Sequence, residues 1–427
     1  MSVDRFARTF ATGCAALLAA LATSCGGGSD TGLPAAGQPA GGSPFAALAA
    51  AVPASAAGSL VPAGIVSCPE PPAAIGFDAQ RGFAFDAAAQ AEALARRLAY
   101  LRCLGGARPA VRDARADGAA ELHAAYALAH GSASHVETDA ASPSYRGADA
   151  GARLRAAGLE PAGWGEVLSR TGPLADEAYD GLVAAIYHRL VMLSPQFDSV
   201  GVGVRADVPG QMVAVADYAA RPDAGAPAAA TIVYPADGQR GVPVSFDSDR
   251  EVPDPAPGAG VVGYAVSLQV ERGTALQVDE FSLARATDGV PVAADVRGAG
   301  PGARPDADID AADAFLLPHA PLAPDTEYEA RFAGRGAAGE IRRAWRFRTR
   351  AAEPLAAPAG LEVARGQYAP VRLAGCGGRW AWTATAGLEV SLYAIGWMQV
   401  RGLQPGAGVV ALSDACGRTQ RVDVLVR

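Results

Sequence analysis

The sequence predicts an α+β domain, helices layered on antiparallel strands, followed by two all-β sandwich domains. Two contrasting stretches carry this reading. Between Asp86 and Arg189 apolar residues recur at helical spacing inside capped segments, and a hairpin signal follows at 200–218. Beyond Arg221 the period becomes two, with turn dipeptides between short apolar runs. A third observation sets the context: the first residues form an export leader.

In that leader Arg5 and Arg8 precede an apolar run, Ala15 to Ala22, and small residues stop at a cysteine in Leu21-Ala22-Thr23-Ser24-Cys25. The run falls short of the ~20 residues a helix needs to span a bilayer, so it is a signal and not an anchor. A cysteine directly after small residues resembles a bacterial lipobox, although leucine stands four residues before Cys25 where three is usual. The resemblance implies that residues 1–24 are removed and that Cys25 is lipidated. The protein is then expected in the bacterial cell envelope, lipid-anchored and facing the periplasm or exterior.

A chain of 427 residues has room for several domains of roughly 100–200 residues each. Half of it is hydrophobic and only 19% charged, so a packed core is expected. The net charge of −8 becomes about −9 when Asp4, Arg5 and Arg8 leave with the signal. An acidic chain without basic runs argues against nucleic acid, whose affinity comes from neutralised phosphates. It argues equally against electrostatic docking on anionic lipid, so the membrane enters only through the lipid anchor. The expected partner is an extracellular ligand or cell-envelope component, met by a monomer.

Of six cysteines, Cys14 leaves with the signal and Cys25 takes the lipid. The remaining four sit in an oxidising compartment, where disulfides persist. None belongs to a C-x-x-C pair, which disfavours thioredoxin-like or zinc-knuckle chemistry. Two local bridges, Cys68–Cys103 and Cys376–Cys416, are the simplest pairing.

Residues 25–67 are rich in Gly, Pro, Ala and Ser and form a tether that cannot bury a core. Asp86 then caps a helix with Leu94, Leu98 and Leu101 at i, i+4, i+7, ended by Gly105-Gly106. A second helix carries Ala119, Leu122, Tyr126 and Ala129 on one stripe. A third spans about 149–158 and a fourth about 174–189, with a short strand at 164–168 between them. Val200–Val204 and Met212–Tyr218 alternate around a turn at 208–210. These elements make 68–220 one α+β domain. In 229–350, Tyr264, Val266, Leu268 and Val270 alternate, as do Trp345, Phe347 and Thr349. Turn signals at Asp237-Gly238, Asp288-Gly289 and Pro324-Asp325 separate the runs. In 359–427, Trp380, Trp382 and Trp397 supply a small core.

Several pieces of 85–205 resemble the bacterial branch of the CAP superfamily, the cysteine-rich secretory, antigen 5 and pathogenesis-related (SCP-like) proteins. They are Ala120-Glu121-Leu122-His123-Ala124-Ala125-Tyr126, His135-Val136-Glu137, Ser144-Tyr145-Arg146-Gly147, Arg153 to Gly158, Trp164-Gly165-Glu166-Val167, Ile186-Tyr187-His188-Arg189 and Phe197 to Val204. The resemblance implies an α-β-α sandwich with a cleft of two histidines and two acids. Carried over, these are His135, His188 and Glu166. The second acid is missing from the helix before His188, where Leu182-Val183-Ala184-Ala185 stands. Asp180 and Glu137 are the two candidates to replace it. Residues 229–350 and 359–427 likewise resemble bacterial Ig-like modules.

Two imidazoles and a carboxylate suit a borderline metal such as Zn²⁺. His123 and His130 are seven apart on a helix, where a metal pair prefers four, so both are expected to be structural. His319, beside Pro318, is expected in a loop. Asp306, Asp308, Asp310 and Asp313 hint at a calcium loop, but Ala311 and Leu317 occupy positions that need Gly and Glu, so a solvated loop is expected. No G-x-S-x-G, P-loop or H-E-x-x-H is present. The function expected is non-catalytic binding through the His135/Glu166/His188 cleft, with the sandwich modules as spacers. The alternatives are a metal-dependent extracellular hydrolase using the same cleft, and pure surface architecture.

Overall fold

The computed structural model describes residues 68–69, 71, 86–170, 175–208, 211–222, 231–273, 275–375, 380–394, 397–414 and 417–427. The leader, Cys25, the tether and the Cys376–Cys416 pair lie outside the described residues.

Helix α1 (Ala87–Gly105) starts where Asp86 accepts the Ala89 N–H at 3.0 Å. It stops at Gly106, whose left-handed backbone (φ 78°) no side chain but glycine adopts freely. Leu94, Leu98 and Leu101 form its buried stripe. Cys103, in the last turn, is bonded to Cys68 across a Cα–Cα distance of 5.8 Å. Helices α2 (Ala114–Ala129) and α3 (Ala150–Ala156) are capped by Asp113 and Asp149.

Four strands, β1 (Val111–Arg112), β2 (Gly163–Ser169), β3 (Ser199–Val208) and β4 (Gln211–Ala220), form one sheet in the order β1-β3-β4-β2. β1 runs parallel to β3 and the other pairings are antiparallel. Successive strand residues point to opposite faces, and each face is covered. Val167 packs with α1 and with two further helices, α4 (Ala175–Ala184) and α5 (Ile186–Met192). Its neighbour Leu168 packs with Ala120 and Ala124 of α2 on the other side. The result is the expected α-β-α layering. Gly201 and Gly203 are strand residues, and α2 explains them: a Cβ on Gly203 would lie 2.2 Å from the Glu121 backbone nitrogen.

The expected single fourth helix is instead two. Ala185 adopts extended backbone (φ −72°, ψ 123°) between α4 and α5. The physical reason lies outside the segment. Glu251, which follows a 3-10 turn at Ser248–Arg250, accepts the N–H groups of Ile186 and Tyr187 that a continuous helix would have paired internally.

A β-sandwich follows, with a short antiparallel pair, β7 (Ser245–Asp247) and β8 (Val261–Gly263), besides its two main sheets. One sheet has the order β5-β9-β12-β11 (Ile232–Tyr234, Val266–Gln269, Asp313–Pro318, Ala294–Arg297). The other has the order β10-β13-β14-β6 (Gln277–Arg285, Glu327–Gly336, Gly339–Thr349, Gln239–Val242). The alternating Tyr264, Val266, Leu268 and Val270 are buried, as are Trp345 and Phe347. This core is continuous with that of the α/β layer. A Cβ on Gly105, at the end of α1, would sit 3.4 Å from Ile232 of β5.

Residues from Leu355 onward build a second sandwich around a separate core. Its sheets are β15-β21-β20-β17 (Gly360–Val363, Thr419–Val426, Gly406–Ser413, Ala381–Ala384) and β16-β19-β18 (Tyr368–Arg372, Trp397–Gly402, Leu388–Ala394). Trp380 enters this core as expected. Trp382 does not: it stands on the edge strand β17 and is 36% exposed. The Trp397 side chain lies outside the described residues. Among the described residues no helix is long and apolar enough to cross a membrane.

The acidic run also departs from expectation, because Asp313 heads β12 and is buried. Its Oδ1 accepts from Gln269 Nε2 at 3.1 Å, and the same amide reaches the Leu190 carbonyl of α5 at 2.9 Å. Asp313 Oδ2 has no hydrogen-bond partner. Burial pushes this carboxyl up to about 7. The folded chain therefore holds a proton that the unfolded chain loses between about pH 4 and pH 7, so this group makes stability fall with rising pH in that window. Asp313→Asn stays neutral throughout. Urea midpoints at a series of pH values should show the variant gaining on wild type by up to about 4 kcal/mol from pH 4 to pH 7, and no further above pH 8. A pH-independent difference would refute the buried, protonated state.

Candidate functional site

Between the sheet and the α2/α3 layer lies a buried group of charged side chains. Glu166 projects from β2 on the face opposite Gly165, and Asp217 stands directly across the ladder from it on β4. Arg153 reaches in from α3. That helix can lie close to the strand because residue 151 is glycine, where a Cβ would sit 2.2 Å from the Trp164 indole. His123 comes from the centre of α2, and His135 and Glu137 from the loop between α2 and α3.

Arg153, His123, Glu137, Glu166 and Asp217 are all buried. The Arg153 guanidinium donates to Glu166 Oε2 and to the His135 carbonyl, and its Nε lies 3.8 Å from Glu137. Glu166 Oε1 accepts from His135 Nδ1 at 2.7 Å. His123 Nδ1 meets Glu137 Oε1 at 2.9 Å, and its Nε2 meets the Ser134 carbonyl at 3.1 Å. Both ring nitrogens thus face oxygen atoms. Glu137 Oε2 accepts the Arg146 N–H at 3.1 Å, and the Tyr126 hydroxyl accepts the N–H groups of Thr138 and Asp139. The loop is therefore pinned from both ends.

Burial alone would raise the Glu166 carboxyl, but Arg153, His123 and His135 outweigh it and hold it well below the usual carboxylate range. Asp217 goes the other way: burial and the neighbouring Glu166 charge push it well above that range. Neither Asp217 oxygen is met by a donor. A protonated Asp217 resolves this by donating to the Glu166 carboxylate opposite. Arg153 is the reverse case, since burial lowers it while Glu166 and Glu137 raise it further.

The expected site residues divide accordingly. His135 and Glu166 meet, and Glu137 joins them through His123 and Arg153. His188 does not, which corrects the three-residue cleft. It lies on α5, which packs on the Gly165 face of β2 through Val191, and its Nδ1 is 3.1 Å from Glu251. Asp180 is paired with Arg97 of α1 at 2.6 Å. Zinc does not fit this arrangement. Both Glu166 oxygens and His135 Nδ1 are committed to one another and to Arg153, and His188 is held elsewhere. Among the described residues no group of three or more His, Cys, Asp or Glu side chains is placed to hold a metal ion.

His130, expected to be structural, stacks on Tyr126 at 4.0 Å. His319 is exposed beside Asp295, in keeping with its loop position. His123 is structural too, yet it belongs to the cluster. The stripe through Leu122 and Ala129 places it off the buried face, whereas Ala116, Ala119, Ala120, His123, Ala124, Tyr126 and Ala127 are the buried residues. Arg153 and Asp217 carried no signal of their own. Only the cross-strand register of the hairpin, which puts Asp217 opposite Glu166, could have revealed the latter.

No family model matches this chain, and no curated protein matches it. Among solved structures it is similar to an extracellular protein containing a SCP domain from Bacillus anthracis, at 18% identity and TM-score 0.28. That similarity covers 32% of this chain and 41% of the other, so this chain spans about two fifths of that protein's length. Fibronectin(III)-like modules of Clostridium thermocellum CbhA are similar at 10% identity over 46% of this chain and 94% of theirs, TM-score 0.19. A tandem of titin Ig domains is similar at 12% identity over 47% and 97%, TM-score 0.17. With TM-scores this low, the description of the fold rests on the chain's own helices and sheets: a mixed α/β region followed by β-sandwiches.

Arg153→Met keeps the volume and removes the charge, leaving Glu166 and Glu137 buried without their shared cation. Equilibrium urea unfolding should show a loss of about 3–5 kcal/mol. A loss below about 1 kcal/mol would mean that the cluster is not held together by this charge.

Proposed function

We propose that this is an exported, lipid-anchored protein of the bacterial cell envelope, whose CAP-like domain at 68–220 binds an envelope component or other extracellular ligand without transforming it. Two Ig-like domains, 229–350 and 359–427, follow. The observation that carries the binding role is His135. Of the clustered side chains it alone has appreciable exposure, 23%, while Glu166 fixes its ring from behind at 2.7 Å. An oriented imidazole at the surface of a rigid, buried charge network is a recognition group that loses little freedom on binding. The leader and Cys25 support export and anchoring.

The metal-dependent hydrolase is the weaker reading. It needs three protein ligands converging with an open position for water, and His188 is turned to Glu251 instead.

Two measurements on the full chain test the proposal. Cys25→Ser should move the protein from the membrane fraction to the soluble fraction, and retention equal to wild type would refute lipidation. In that soluble background, co-sedimentation with purified cell-envelope fragments should fall roughly tenfold on His135→Ala. The fragments should be chemically unchanged by mass spectrometry after incubation. Equal sedimentation of the variant would refute the binding role of His135, and products formed only by the His135-containing protein would favour hydrolysis.

A further inference from the structure

We infer that the first sandwich is a structural half of the site-bearing α/β layer and not a spacer, locked to it by Glu251 so that the two open and close as one cooperative body. The carboxylate of Glu251 is 1% exposed and sits 63–65 residues away from the groups it serves. Its Oε2 accepts the Ile186 N–H at 2.8 Å, and its Oε1 accepts those of Tyr187 at 2.7 Å and His188 at 3.3 Å. The same oxygen meets His188 Nδ1 at 3.1 Å. Because the chain is extended at Ala185, these amides have no partner within their own helix. A residue of the sandwich thus completes a helix of the α/β layer, and pulling the two apart strands buried polar groups on both sides.

Three further contacts cross the same joint. Arg189, fully buried, donates to the Ala265 carbonyl at 2.7 Å and lies over the rings of Tyr234 and Tyr264 at 5.1 and 4.9 Å. Gln269 donates to the Leu190 carbonyl, and Arg272 Nε reaches Ser194 Oγ at 3.4 Å. Around them runs one apolar core, from Leu94 of α1 through Tyr218 of β4 to Trp345 of β14. The second sandwich shares none of this core. His188 is committed to the joint, so ligand recognition is left to the His135 side of the sheet.

Native-state hydrogen exchange of the full chain, read by mass spectrometry, tests the inference. The slowest amides of β3–β4 and of β13–β14 should share one opening free energy. Glu251→Ala should speed both sets by the same factor, roughly 10²-fold or more, and leave β20–β21 unchanged. Glu251→Gln keeps one acceptor oxygen and should speed both sets equally but less; it carries the test if the alanine variant does not fold. Faster exchange confined to residues 185–193, or in β3–β4 without β13–β14, would overturn the inference and restore the sandwich to a spacer.

Discussion

A guanidinium sealed inside an apolar fold cannot release its proton and cannot reach water, so everything near Arg153 must compensate it. Glu166 does so as a carboxylate, and Glu137 lies 3.8 Å from the Arg153 Nε. The proton on Asp217 removes a further negative charge from the same space. Arg153 comes from α3, and its partners arrive on four other elements: α2, the loop after it, β2 and β4. The charge balance therefore fixes the mutual placement of all five. His135 inherits its orientation from that balance, since the oxygen holding its ring belongs to the carboxylate that Arg153 keeps ionised.

The glycines make the balance possible from the backbone side. Gly201 and Gly203 let α2 lie against β3, and Gly151 lets α3 lie against Trp164, so that His123 and Arg153 both reach the sheet. On the opposite face the packing is apolar and continues into the first sandwich. The two faces of one sheet thus have different work: a polar interior behind a partly exposed histidine on one, a joint between structural units on the other. His188 falls on the second, and its chemistry is spent there.

Much of this was legible in the sequence, for local reasons. Asp86 and Gly106 bracket α1 because caps are written in the residues that form them, and the 199–220 hairpin follows from alternation around a turn. The pairing of Glu166 with His135 came from the resemblance and agrees with the geometry. What failed was non-local. A helix predicted whole is broken at Ala185 because an acid more than sixty residues later serves its amides. The sequence does not show which face of β2 His188 packs on. The residue type of Trp382 points to a core, but an edge strand leaves it exposed. The acidic run points to a solvated loop, but Asp313 heads a strand and is buried. Composition shows none of these, because each depends on what the fold lays alongside.

Burial and the neighbouring Glu166 charge keep the proton on Asp217, which closes the charge balance around Arg153. Infrared spectroscopy of protein with carbon-13 in its aspartate side chains reads this directly. In the Asp313→Asn background a carboxylic-acid carbonyl band should persist at pH about 7.5, above the range in which ordinary aspartates titrate, and should vanish when Asp217→Asn is added. If no protonated carboxyl remains in that background at that pH, Asp217 is ionised, the cluster carries an uncompensated buried charge, and the account of the site is wrong.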